Sequence, residues 1–168
     1  ETKGIGKVGN LAQEMTLASC AQFVKKAFEI PAVKVFGNPK RKVKRAAVCP
    51  GSGKSEIPFA LQKGAEVLIT GDIDHHDGID AVAQGLCVID AGHYGLEHIF
   101  VPYMKEYLDT RCRQVEVIMR EDIFPFEVVV IGSIKTAFAF VYHCIISRQI
   151  FCQTCTYTCV VLKSEEWQ

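Results

Sequence analysis

The chain has 168 residues, the size of a single domain with enough length to bury a core. Nineteen basic residues balance nineteen acidic ones, which excludes a nucleic-acid binder that works through a broad basic field. With 49% apolar and 23% charged residues the chain is neither disordered nor fibrous, and no uncharged apolar run reaches the roughly 18 residues of a membrane span.

The opening Glu1, Thr2, Lys3 carries no signal-peptide pattern and no initiator methionine, so the chain reads as a fragment or a processed piece. Gly4-Ile5-Gly6-Lys7-Val8-Gly9 matches G-x-G-x-x-G letter for letter. A dinucleotide site needs a strand before that pattern and a helix start within it. Neither is available here, so the segment reads as a glycine-rich turn. Thr16 has the chemistry of a helix N-cap, and Leu17, Ala21, Val24 and Phe28 recur at helical spacing until Pro31 stops them.

Residues 32–36 and 43–49 are β-rich and separated by a basic turn of hairpin length. They are expected to make one edge of the sheet mixed. A turn over 50–54 leads into a helix over 55–63. Buried strands are expected at 66–70 and 86–90, with a helix over 74–84 between them. A short helix over 93–100 ends at Val101 and Pro102, and Pro102 sits in the first turn of another helix reaching Leu108. A last strand is expected at 114–119. The alternation predicts an α/β fold: a mixed, mostly parallel sheet flanked by helices in three layers.

Composition shifts after residue 128. Residues 129–162 hold only two charges, Lys135 and Arg148, and four of the eight cysteines. The chain therefore divides into a body over 1–128 and an apolar, cysteine-rich tail over 129–168. Body cysteines Cys20, Cys49, Cys87 and Cys112 are far apart in apolar runs and read as buried free thiols, which suits the cytoplasm. In the tail, Cys152, Cys155 and Cys159 with His143 and Cys144 could bind zinc, yet no standard spacing is met. The preferred reading is a non-native extension, β-prone and sticky over 128–131 and 145–161.

Gly51-Ser52-Gly53-Lys54-Ser55 lies between a strand and a helix, as a phosphate loop does. The first glycine of a true P-loop would fall at Val48, and Pro50 removes an N–H donor. A tight turn is the plainer reading. Weak anion binding by Gly51, Ser52 and Gly53 at the helix start is the alternative.

Metal-type ligands cluster at two strand ends. Thr70-Gly71-Asp72-Ile73-Asp74-His75-His76 follows one buried strand, and Asp90-Ala91-Gly92-His93-Tyr94-Gly95-Leu96-Glu97 follows the next. In parallel α/β sheets, sites form at the carboxyl ends of strands. His93 and Glu97 stand four apart on one helical turn and could share a divalent ion. Asp72 and His76 are also four apart. Asp90 could orient His93 from behind. His98 reads as a packed or surface residue, like His143, and one of His75 and His76 should face solvent.

These two runs, the Gly51-Ser52-Gly53 loop, the glycine-rich opening and the Met15-Thr16-Leu17 helix start follow the order found in one family. The chain resembles, over about 1–128, the C-terminal half of the Nif-three-like proteins, a dinuclear-metal family often called GTP cyclohydrolase I type 2 homologues. The resemblance implies half of a Nif-three-like fold, metal ligands at His93 and Glu97, and a cleft-lining histidine at His76. Asp72 is a weaker carry-over. The resemblance also implies ring-like homo-oligomers. The family's His-His-Pro motif does not occur here, since His75-His76 is followed by Asp77.

Three functions follow as expectations. The first is the C-terminal part of a metal-dependent hydrolase-like protein acting on an unknown small molecule. It would bind zinc, iron or manganese and be inactive alone because the His-His-Pro half of the site is missing. The second is a non-catalytic oligomeric regulatory module. The third is a weak phosphate or nucleotide binder through Gly51 to Ser55.

Overall fold

A computed structural model of the chain describes residues 4–119 and 124–129. Packing divides the chain into Glu1–Val128 and Val129–Gln168. The second unit lies almost wholly outside the described residues, and both readings of the tail lie there with it.

Five strands and five helices alternate: β1 Lys7–Thr16, α1 Leu17–Ala27, β2 Lys34–Phe36, β3 Lys42–Ser52, α2 Ile57–Gln62, β4 Val67–Gly71, α3 His75–Ala83, β5 Cys87–Asp90, α4 His93–Glu97 and α5 Phe100–Arg111. A single 3₁₀ turn, Lys54–Glu56, precedes α2. The strands form one sheet in the order β1-β3-β4-β5-β2. β3, β4 and β5 run parallel, while β1 on β3 and β2 on β5 are antiparallel.

The sheet is mixed, as expected, but at both edges. The 32–36 and 43–49 segments do not form a hairpin. β2 crosses to the far edge and pairs with β5, with Lys34 opposite Asp90. The 4–9 segment is a turn only at its start. Lys7, Val8 and Gly9 already belong to β1, where they pair with Val48, Ala47 and Ala46. β1 is exposed along most of its length and rich in poor strand formers, so only its ladder to β3 makes it a strand. Among the described residues, the 114–119 segment forms no strand.

Strand side chains alternate between the two faces, and each face buries a core. On one side Val67, Ile69, Cys87 and Ile89 pack with Leu17, Cys20, Ala21 and Val24 of α1 and Leu96 of α4. On the other, Leu68 and Val88 pack with Ile57 and Ala60 of α2 and Ala81 of α3. That is the expected three-layer arrangement. Burial pushes the Cys20, Cys49 and Cys87 thiols up, so all three stay protonated and inert. Cys112 is only half-buried.

Helix starts follow local chemistry. Thr16 Oγ1 accepts the Ser19 N–H at 3.1 Å and caps α1. Asp74 does the same for α3, accepting the Asp77 N–H at 3.0 Å. That bond, helped by Lys54, lowers the Asp74 carboxyl from its ordinary 3.8 to about 2. A carboxyl depressed on folding stabilises the fold above its ordinary value, and the gain is lost as pH falls through the folded value. Wild-type Tm is therefore expected to drop between about pH 4 and about pH 2 more steeply than that of Asp74→Asn, whose capping amide does not titrate in this range. Parallel Tm-against-pH curves for the two proteins would refute this.

No helix among the described residues is long and apolar enough to cross a membrane.

Candidate metal site at the strand ends

β3, β4 and β5 are parallel neighbours, so their carboxyl ends lie side by side. Sharp backbone turns bring the following residues together there. Gly51 near the end of β3 has φ +67°, Gly92 before α4 has φ +73°, and Asp72 after β4 has φ +54°. An L-residue in that left-handed region is strained unless its surroundings hold it, and aspartate tolerates it better than most.

His93 begins α4 and Glu97 ends it. The imidazole Nε2 lies 3.3 Å from Glu97 Oε2. On the opposite edge of the ring, Nδ1 lies 3.0 Å from Asp72 Oδ2. The His93 backbone N–H donates to Asp72 Oδ1 at 3.3 Å. Gly51 sits against the pair: a Cβ there would lie 3.3 Å from Glu97 Oε1 and 3.5 Å from His93 Nε2. The expected convergence of His93 and Glu97 is present, and the β3 loop joins it. About half of each side chain of His93, Glu97 and Asp72 is exposed.

Asp90 does not touch the His93 ring. It is buried, and Oδ1 accepts the backbone N–H groups of Asp72 at 3.0 Å and Gly92 at 2.9 Å. Oδ2 accepts that of Ile73 at 3.1 Å and pairs with Lys34 at 2.7 Å. Asp72, not Asp90, is thus the carboxylate behind the imidazole, because the left-handed turn at Asp72 aims its side chain across to α4. Sequence reasoning missed Lys34. A lysine on a three-residue edge strand carries no signal until that strand is placed beside β5.

His76 lies in the first turn of α3, exposed, with its ring edge-on to His75 at 5.4 Å. His75 is exposed too. No hydrogen bond joins His76 to His93 or Glu97 among the described residues. His98 stacks on Tyr94, with Phe124 5.7 Å from it, which fits its reading as a packed residue.

The 51–55 loop uses its glycines for close packing. A Cβ on Gly53 would run into the Thr70 hydroxyl, and the Gly53 N–H donates to the Gly71 carbonyl at 3.4 Å. Lys54 reaches Asp77 at 2.7 Å and Asp74 at 3.4 Å, and those carboxylates push its pKa up. The lysine of this loop thus faces acids, where a P-loop lysine faces phosphate.

Imidazole and carboxylate on one helical turn suit a divalent ion. However, Glu97 and Asp72 flank opposite edges of the ring. Among the described residues no group of three or more His, Cys, Asp or Glu could hold a metal. The donors present are of a kind that binds divalent ions, and two of them, His93 and Glu97, face each other.

A mixed five-stranded α/β sheet whose histidine and carboxylates gather beyond its parallel strands has clear relatives. A family model described as Duf34/NIF3 (NGG1p interacting factor 3) matches residues 1–123, and the chain belongs to that family. It is 45% identical over 110 residues to the "GTP cyclohydrolase 1 type 2 homolog" of Bacillus subtilis, and 40% over 109 residues to that of Halalkalibacterium halodurans. Those matches cover 66% and 65% of this chain, which spans only 29% of either relative. Among solved structures, Staphylococcus aureus protein SA1388 matches with TM-score 0.67 and 33% identity, over 75% of this chain and 42% of that one. A Bacillus cereus protein related to NIF3 matches with TM-score 0.66 and 33% identity, over 75% and 36%.

Proposed function

We propose that the chain supplies part of a dinuclear metal site in a hydrolase-like protein, with His93 and Glu97 as its metal ligands. The observation that carries this reading is the meeting of His93 Nε2 and Glu97 Oε2 at 3.3 Å beyond the parallel strands, with Gly51 holding the third side clear. When bound, such ions lower the pKa of a coordinated water and polarise the group to be cleaved. His93 presents its ring nitrogen beside the Glu97 carboxylate, and the bare Gly51 leaves that edge of the pair uncrowded. A groove of 530 Å³ beside Glu97, lined by Pro50, Leu96, Ile99, Phe100 and Tyr103, offers apolar surface to a neutral part of a substrate. His76, exposed in the first turn of α3, is a candidate for a proton shuttle.

A hydrolytic site wants three or more protein donors. Two come from this chain, so the other donors come from outside the described residues, and the isolated chain is expected to be inactive. Zinc, iron and manganese all suit the pair. Homo-oligomers are proposed on the same family grounds.

The test is metal content. Purified chain dialysed to equilibrium against Zn²⁺, Fe²⁺ or Mn²⁺ is expected to take up metal weakly, since only two of its side chains hold the ion. His93→Ala and Glu97→Ala are expected to fall to background by elemental analysis. Equal uptake by wild type and both variants, or none by any, would overturn the reading.

A further inference from the structure

Lys34 stands on an edge strand, on the far side of β5 from the loop that carries Asp72. Its ammonium nevertheless reaches Asp90 Oδ2 at 2.7 Å and donates to the Ile73 carbonyl at 2.9 Å. Asp90 is 3% exposed, and a carboxylate that deep is stable only when paired and hydrogen-bonded. Its oxygens bind backbone N–H groups of two separate loops: Asp72 and Ile73 after β4, and Gly92 after β5. Asp72, held in its left-handed turn, then grips His93 twice, at the backbone N–H and at Nδ1.

We propose that Lys34, Asp90 and Asp72 form a positioning chain that sets the His93 imidazole, with Nδ1 as the N–H partner of Asp72 and Nε2 left as the ligand atom facing Glu97. Carboxylates flank both ring nitrogens, Asp72 at 3.0 Å from Nδ1 and Glu97 at 3.3 Å from Nε2. The closer one, held also by the His93 backbone N–H, favours the proton on its own side and leaves the lone pair on Nε2. Lys34 and Asp72 are positioning residues; neither faces the Nε2 edge itself. The ring-orientation part stands on geometry alone, while the metal-affinity part rests on the function proposed above.

Two readouts separate them, both on the full 168-residue chain. Long-range ¹H–¹⁵N spectra of labelled histidine report which nitrogen of His93 carries the proton. Wild type is expected to show the Nδ1–H pattern. Asp72→Ala and Lys34→Met should shift it toward the Nε2–H form, and Lys34→Arg should restore it. Lys42→Met, which removes a lysine paired with Glu14, should leave it unchanged. Zn²⁺ titration should follow in step, with affinity lowered about 10- to 100-fold in Asp72→Ala and Lys34→Met.

A merely structural role would lower Tm without moving the His93 signature of the folded protein. An unchanged His93 pattern in Lys34→Met and Asp72→Ala overturns the proposal, whatever the metal does. A shifted pattern in a chain that takes no Zn²⁺ upholds the positioning chain and removes the metal reading. Should Lys34→Met fail to fold, Lys34→Gln, which keeps a donor without the charge, is read in its place.

Discussion

Replacing Gly71 by alanine is expected to be among the most damaging single changes in the body of the chain, costing about 3 kcal/mol or more. Gly71 ends β4 directly beneath the start of α4. A Cβ there would lie 2.5 Å from the His93 backbone N and 2.6 Å from the Gly92 carbonyl carbon. Both are backbone atoms, so no side chain can swing aside. Either β4 or α4 must move, and α4 carries both His93 and Glu97. Gly9→Ala is the matching control, since a Cβ there meets nothing within 4 Å and Gly9 lies in β1 at no positive φ. It should stay within about 0.5 kcal/mol of wild type. Urea unfolding of the two variants checks this, and equal midpoints would show that the strand-end contact is slack.

Asp90→Ala should cost about 3 kcal/mol or more, because it strands three backbone donors that share its carboxylate. The N–H groups of Asp72, Ile73 and Gly92 would lose their common acceptor. Lys34 is 64% exposed and can return to water, so the cost falls mainly on the loops. Asp90→Asn should lose less, since its amide oxygen still accepts while its amide nitrogen opposes a donor. Denaturant unfolding gives the magnitude. Amide hydrogen exchange gives the place, with those three N–H groups accelerating before the rest of the sheet. Unchanged exchange at Asp72 and Gly92 in Asp90→Ala would show that Asp90 does not tie the two loops together.

Much of this fold was legible in the chain itself. Thr16 capped its helix as expected because an N-cap is decided within three residues. The uninterrupted apolar runs before Gly71 and Asp90 read as buried parallel strands, and every residue of β4 and β5 is buried. α3 lies within one residue of the helix expected at 74–84. The helix expected at 55–63 is divided into a 3₁₀ turn and α2, with Pro58 in the first turn of α2. The 114–119 segment has strand chemistry, but composition supplies propensity and a strand also needs a neighbour.

The site divides in the same way. His93 and Glu97 were readable because four residues on one helical turn bring side chains together whatever the rest of the chain does. Asp72 and Asp90 were legible as carboxylates near the site, but not which would face the imidazole. That depended on one backbone angle, φ +54° at Asp72, which has no marker in composition.

The sequence by itself determined the helices, the buried strands, the His93–Glu97 pair and the placing of the chain in its family. All of these rest on interactions within a few residues or on motifs kept in order. Only the tertiary structure decided that β1 is a strand, that β2 crosses to the far edge, and that Lys34 reaches the loops beneath His93. Those outcomes join residues far apart in the chain, such as Lys7 with Val48 and Lys34 with Asp90, and they depend on the path of the chain in space, which local chemistry leaves open.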